Sequence, residues 1–308
     1  MLENRAVNAN PIINSAMPPT KIFLSINMLI LWTYHIYEKL NFSKINLEGT
    51  SFFILTMIEN LWLIPLGFAA GVLGSIIGLG GGIIAVPVMT FAGFPPTLAA
   101  SNSLFAAFSN AVASTATYAK QKRIEYGIGL RLGLMCIPGT ILGAFVSDVM
   151  TPVIFQILFA LILVSSAVYI FVKRKISEKP YNLKNSMMVF VAGASFFAGI
   201  ISSLFGIGGG VVFVPLMVIG IGISMRNAAP TSQLVLIFAS LSGLIVHSLL
   251  GHPDFTQAML LSIGAFAGGL LGARLSLDIK ETKLKILVTI VLMAAAVKLV
   301  IDSMEVPF

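Results

Sequence analysis

The chain has 308 residues, 57% hydrophobic and 10% charged, with a mean hydropathy of +0.97. A soluble domain carries about 25% charged residues, so this composition excludes an ordinary soluble fold and indicates a multi-span membrane protein. The formal charge of +7 does not indicate nucleic-acid binding, because the lysines and arginines cluster between apolar runs, where they report membrane topology.

Residues 1–56 read as an N-terminal extension, with Asn, Ser, Pro and Lys around one apolar patch from Ile22 to Tyr37. That patch is short of the roughly 20 residues a spanning helix needs. Of the methionines that could start the chain, Met1, Met28 and Met57, Met57 is expected to be the true start, because the first recognisable span begins there. From Leu61 the chain is apolar through Ile77, meets Gly78-Leu79-Gly80-Gly81-Gly82, and resumes from Ile83 to Phe91. Apolar spans follow at 97–119, 127–149 and 152–172, and Lys173-Arg174-Lys175 closes a first repeat over 57–175. A second repeat over 176–308 has the same plan: 187–205, Gly206-Ile207-Gly208-Gly209-Gly210, 211–222, then 227–250, 255–277 and 283–301. The fold expected is an all-α membrane protein of about eight transmembrane helices in two four-span repeats, each with a glycine-broken helix.

The repeat is more than a chance match of glycines. Val86-Pro87 and Val214-Pro215 follow the two glycine clusters at one spacing. Beyond them Ala100-Ser101-Asn102-Ser103 matches Ala229-Pro230-Thr231-Ser232, Glu125-Tyr126 matches Asp254-Phe255, and Gly139-x-x-x-Gly143 matches Gly268-x-x-x-Gly272. If each hinged segment crosses once, the repeats share one orientation; if it crosses and returns, they invert. Charge favours the first, since four crossings put Lys120, Lys122 and Arg123 on one side with the Lys173–Lys184 cluster, cytoplasmic by the positive-inside rule, with both termini inside. Lys280, Lys283 and Lys285 are the misfit in that scheme.

Four glycines in five residues break a helix at membrane depth, because each costs roughly 1 kcal/mol relative to alanine in a helix interior. The freed backbone groups are tolerated only where protein buries them or a polar cavity solvates them. Paired broken helices in two halves point to a transporter's substrate site, with N–H groups of Gly78, Gly80, Gly81 and Gly82, and of Gly206, Gly208, Gly209 and Gly210, converging on an anion. A small-residue packing seam is the competing reading, since Gly74, Gly78 and Gly82 are four apart. Ser101, Asn102, Ser103, Thr231, Ser232 and Gln233, at the starts of the following spans, supply hydroxyl and amide groups suited to an oxyanion, or to capping and interhelical bonds. Cys136 stands alone, and His35, His247 and His252 are scattered, so neither a disulfide framework within the chain nor a metal site is expected. No cofactor and no catalytic residue is expected either. Arg131, Arg274 and Lys298 lie near span ends and read as snorkelling. His247, matched to Tyr118, reads as a hydrogen-bonded span-end residue before a proton shuttle.

With its doubled glycine motif, the two Val-Pro pairs, the polar quartets at 100–103 and 229–232 and the Gly-Ala pairs at 143–144 and 272–273, the chain resembles the TauE/SafE family of bacterial membrane permeases, the sulfite exporters. The resemblance covers residues 57–304. It implies a multi-pass permease of the bacterial inner membrane that moves a small anion, such as sulfite or a sulfonate, most simply outward. Partners are then the anionic solute and the lipid bilayer, with homo-oligomerisation left open and no nucleic acid. Two rival functions are a non-transporting membrane assembly factor, for which the hinges would be packing devices, and an intramembrane enzyme. The spans offer no nucleophile and base, no aspartate pair and no metal set for the latter.

Overall fold

The computed structural model describes residues 57–172 and 185–277 and single positions between 290 and 297. The extension 1–56, the basic stretch 173–184 and most of the expected span 283–301 lie outside the described residues. What is described is helical, with no strand. In chain order the helices are α1 (Leu63–Ile77), α2 (Gly82–Phe91), α3 (Pro96–Lys120), α4 (Tyr126–Asp148), α5 (Pro152–Val172), α6 (Asn185–Phe205), α7 (Gly210–Pro215), α8 (Met225–Leu249) and α9 (Phe255–Leu275).

Local chemistry sets these boundaries. Pro96 opens α3, where its missing N–H would have had no intrahelical partner. Asp254 caps α9, its carboxylate accepting from the N–H groups of Thr256 and Gln257 at 2.9 and 3.1 Å. Pro215 lacks the N–H that a continuing α-helix needs, and the chain widens beyond it into a π-helical turn, Leu216–Ile221, which ends at Gly222 with φ 88°.

Three described helices are long and apolar enough to cross a membrane by length and composition: α4, α8 and α9. Around an apolar core this bundle also exposes large apolar side chains and buries small polar ones. Leu134, Leu161 and Met259 are 59%, 67% and 65% exposed, while Ser101, Asn102, Ser103, Thr231, Ser232 and Gln233 are fully buried. An apolar outside around an interior that holds the polar side chains is what a bilayer selects.

Helix directions follow from which ends touch. The starts of α3 and α9 meet through Asn102, which accepts from Asp254 N–H at 3.0 Å, and their ends meet through Gln121, which donates to the Ala273 carbonyl at 3.0 Å. These two helices therefore run parallel. In the matched positions of the other repeat, Thr231 accepts from Glu125 N–H at 3.0 Å where α8 and α4 begin, and His252 reaches Asp148 where they end. Between these pairs the direction reverses. Arg123, just beyond α3, donates to the Arg226 carbonyl at the start of α8 at 2.8 Å, and Gly243, late in α8, lies against Leu104, early in α3. Glycines allow the closest approaches: Gly264, Gly268 and Gly272 of α9 lie on the backbone of α1 at Ile64, Phe68 and Val72, and Gly139 and Gly143 of α4 lie on α6 at Phe196 and Ile200. The leading helix of each repeat thus packs along a helix of the other.

The helices α3 and α8, which the sequence pairs, run antiparallel, the relation that inverted halves would have and that the shared orientation favoured by charge would not. The charge count assumed that each hinged segment crosses once. Instead, Trp62 before α1 and Phe94 after α2 have ring centroids 6.1 Å apart, so the first hinged segment returns to the face it left.

Candidate functional site

Each glycine of the two motifs has a separate physical reason. In the first, Gly78, Gly80 and Gly81 have φ of 83°, 84° and 78°; in the second, Gly206, Gly208 and Gly209 have 68°, 72° and 83°. Side chains rarely adopt this left-handed conformation, which costs them roughly 1–2 kcal/mol per residue. The fourth glycine of each motif, Gly82 and Gly210, has an ordinary φ but no room. A Cβ on Gly82 would overlap the Gly206 carbonyl oxygen and lie 2.8 Å from the Ile207 Cα, and a Cβ on Gly210 would overlap the Gly78 carbonyl oxygen and lie 2.6 Å from the Leu79 Cα.

Those two contacts are the same contact made twice. Residue 82 of the first hinge meets residue 206 of the second, and the matched residue 210 meets residue 78, as a two-fold relation requires. The two broken segments lie against each other in the bundle interior, with residues 77–83 and 202–211 all buried. Ala107 and Leu236, matched positions midway along α3 and α8, reach this crossing. A Cβ on Gly208 would stand 2.6 Å from a Leu236 methyl and 3.3 Å from the Ala107 Cβ, and Gly80 is pressed by the same methyl. Leucine on one side and alanine on the other make the crossing asymmetric. Neither residue carried a signal in the sequence, being apolar within an apolar run.

The polar residues expected at the site divide into two groups. Ser232 donates to the Gly78 carbonyl at 2.7 Å, and Gln233 donates through Nε2 to the Gly74 carbonyl at 3.0 Å, so both hold the first hinge. Ser103 is buried beside Gly82 and its hydroxyl has no hydrogen-bond partner, and Gln233 Oε1 has none either. Buried polar atoms without partners are exceptional and ask for an explanation. The other three face away from the hinges. Ser101 donates to the Leu98 carbonyl of its own helix, Asn102 accepts from Asp254 N–H and donates to Gln257, and Thr231 accepts from Glu125 N–H. These last two fasten the starts of α9 and α4, the capping role weighed for them in the sequence.

A second matched pair tethers the hinges. Tyr118 donates its hydroxyl to the Ser75 carbonyl at 2.8 Å, and His247 Nε2 donates to the Ser203 carbonyl at 3.0 Å. Both carbonyls belong to the last turn before a hinge, where a helix leaves C=O groups without intrahelical partners. The repeat register paired Tyr118 with His247, but only the tertiary contact gives both one task.

No charged side chain belongs to either hinge motif. The positive potential there comes from backbone: the first N–H groups of α2, at Gly82 and Ile83, have no carbonyl a turn behind them, and the helix dipole adds to it. Such a place suits an anion or a partial negative charge. Among the described residues no group of three or more His, Cys, Asp or Glu side chains could hold a metal ion.

Comparison with known proteins identifies a family. The pattern of the family described as sulfite exporter TauE/SafE matches residues 63–299. The chain is 29% identical over 266 residues to a protein of Bacillus subtilis named probable membrane transporter protein YunE, covering 78% of this chain and 97% of that one. It is 24% identical over 253 residues to the probable membrane transporter protein YfcA of Escherichia coli, covering 81% and 93%. No solved structure matches the chain significantly. The match across both hinges and the helices around them makes this chain a multi-pass membrane protein of the TauE/SafE family of transporters.

Proposed function

We propose that this protein carries a small anion, a sulfur oxyanion such as sulfite or a sulfonate, out across the bacterial inner membrane, and that the anion passes between the two glycine hinges. The observation that carries the reading is the crossing itself. Two left-handed backbone segments from inverted halves meet inside the bundle, beside the start of α2 and the unpartnered hydroxyl of Ser103. Neutral donors of this kind bind an oxyanion without holding it too tightly to release. Gly80 to Gly82, Gly208 to Gly210, Ser103 and Ser232 form the binding surface, and Gln233 flanks it. Gly78, Gly206, Ser101, Asn102 and Thr231 shape it through the backbone. The family's description as sulfite exporters supports the choice of anion.

The helix directions support a topology different from eight like-oriented crossings. Each repeat, 57–175 and 176–308, has one hinged hairpin that enters and leaves on one face, followed by three crossings. The loop after α3 with Lys122 and Arg123, the start of α8 with Arg226 and the end of α9 with Arg274 then share a face. In sequence, Lys173–Lys184 and Lys280, Lys283 and Lys285 continue from helix ends on that same face, and the misfit lysines cease to be one. The opposite face has Glu59, Asp148, His252 and Asp254. The positive-inside rule makes the basic face cytoplasmic. It also moves the start of α1 to the outer face, in place of the cytoplasmic termini expected from four crossings. Outward passage of one negative charge gains about 2.3 kcal/mol per 100 mV, so export needs no further energy source.

The test is flux in proteoliposomes with sulfite, sulfoacetate, taurine and sulfate at an imposed potential. One anion should move with the potential, and Gly81→Ala and Gly209→Ala should abolish its movement in protein that remains folded. Full flux in both variants would end the backbone-site reading. No flux with any solute would favour the assembly-factor alternative.

A further inference from the structure

At the outer, acidic end of the bundle three side chains form a continuous hydrogen-bonded chain into the interior. Asp148, at the end of α4, is 53% exposed. Its Oδ1 lies 2.9 Å from His252 Nε2, His252 Nδ1 lies 2.8 Å from His247 Nδ1, and His247 Nε2 lies 3.0 Å from the Ser203 carbonyl. His247 is fully buried, and Ser203 stands three residues before Gly206. The chain thus runs from the surface to the last turn before the second hinge.

Donors and acceptors can be counted along it. A carbonyl only accepts, so His247 carries its proton on Nε2, and its Nδ1 is then an acceptor when the ring is neutral. His252 must therefore donate from Nδ1. An ionised Asp148 also only accepts, so His252 donates from Nε2 as well and is an imidazolium. With Asp148 ionised, all three bonds are made only when His252 is doubly protonated and His247 neutral. Transfer of the proton from His252 Nδ1 to His247 Nδ1 leaves His252 neutral and His247 cationic. Only N–H bonds are broken and made. A further proton from the outer face then restores His252, and two N–H donors confront each other. That confrontation breaks the link between the rings and displaces His247, whose bond to the Ser203 carbonyl, charge-assisted once the ring is cationic, then pulls on the turn before the hinge.

Other groups near the pair do not compensate. Asp254 turns its carboxylate to the first turn of α9, α6 offers the Ser203 carbonyl, and the adjoining turns of α3 (96–103) and α5 (152–160) contain no titratable side chain. The matched position in the other repeat is occupied by Tyr118, whose hydroxyl makes the same bond to Ser75 and keeps its proton at any physiological pH. One hinge is tethered by a fixed donor and the other by a titratable one.

We propose that Asp148, His252 and His247 are a proton-binding arm that couples protonation at the outer face to the second hinge, which makes the proton the co-ion or the gating ion of transport. The coupling to transport rests on the function proposed above; the coupling to the hinge does not.

The experiment is hydrogen exchange of the peptide covering residues 203–214 in purified full-length protein, between about pH 5 and 8, corrected for intrinsic exchange. Protection in the wild type should fall about tenfold toward low pH, while residues 75–86 around the first hinge stay unchanged. His247→Tyr, which copies the tether of the first repeat, should keep the protection at high pH and lose the pH response. His252→Gln should lose the response while leaving His247 in place. The same pH response in either variant as in wild type, or an equal response at both hinges, overturns the proposal. If exchange behaves as expected while no solute moves in liposomes, the transport reading fails and the arm stands. Anion flux without any pH response of residues 203–214 has the opposite meaning.

Discussion

Alanine at Gly82 separates lack of space from lack of conformational freedom, because Gly82 has an ordinary φ. Its new Cβ would overlap the Gly206 carbonyl oxygen and approach Ser103 Oγ at 2.7 Å and Ile207 Cα at 2.8 Å, all tighter than normal packing. Two of the three obstacles are backbone, which no rotamer change relieves. Overpacking of this kind costs about 1–3 kcal/mol, offset by roughly 0.4–1 kcal/mol from the reduced freedom of the unfolded chain. Because two of the obstacles are backbone the upper end of that range applies, and a net loss of about 2 kcal/mol is expected. Gly93→Ala is the matched control, since Gly93 has φ 90° and nothing within 4 Å of its Cβ position. There only the left-handed backbone is penalised, for a net loss of about 0.5–1 kcal/mol. At about 2–4 °C per kcal/mol for a chain of this size, Gly82→Ala should melt about 4–8 °C below wild type in detergent, and Gly93→Ala about 1–4 °C below it. Flux should be lost in Gly82→Ala at temperatures where it remains folded, and kept in Gly93→Ala. Gly82→Ala with wild-type melting and wild-type flux would refute the claim that the two hinges pack backbone on backbone.

Leu236→Ala removes the side chain that fills the crossing of the hinges. It should destabilise by about 2–5 kcal/mol and raise unselective anion leak, measured against impermeant-solute controls; a tight and fully stable variant would show that Leu236 does not plug the path. Asn102→Ala leaves the Asp254 N–H without its partner and should cost about 1–3 kcal/mol in thermal unfolding, with the substrate affinity of the folded fraction unchanged. For topology, Gly251→Cys should react with an impermeant maleimide on intact cells, and Leu277→Cys only after permeabilisation, in a chain whose own Cys136 is buried. Two like-oriented four-span repeats require the reverse pattern.

The repetition in this chain was sufficient to locate its paired hinges. Glycine clusters inside apolar runs have one physical meaning, a broken helix at membrane depth, and their repetition with Val-Pro at fixed spacing made a matched pair legible without any structure. The family was legible for the same reason. Positions 102 and 231 were legible only as polar residues near a site, because an amide or hydroxyl that caps a neighbouring helix has the same composition as one that binds a ligand.

What tertiary structure decided was direction and partnership. A run of apolar residues does not state which way it crosses, and charge counting depends on the number of crossings assumed, so the helix directions rest on contacts such as Arg123 with Arg226 and Trp62 with Phe94. Leu236 at the crossing, and the histidine chain from Asp148 to Ser203, join residues that only folding brings together. Sequence fixes what each residue can donate, accept or exclude; the fold alone determines which residue stands opposite.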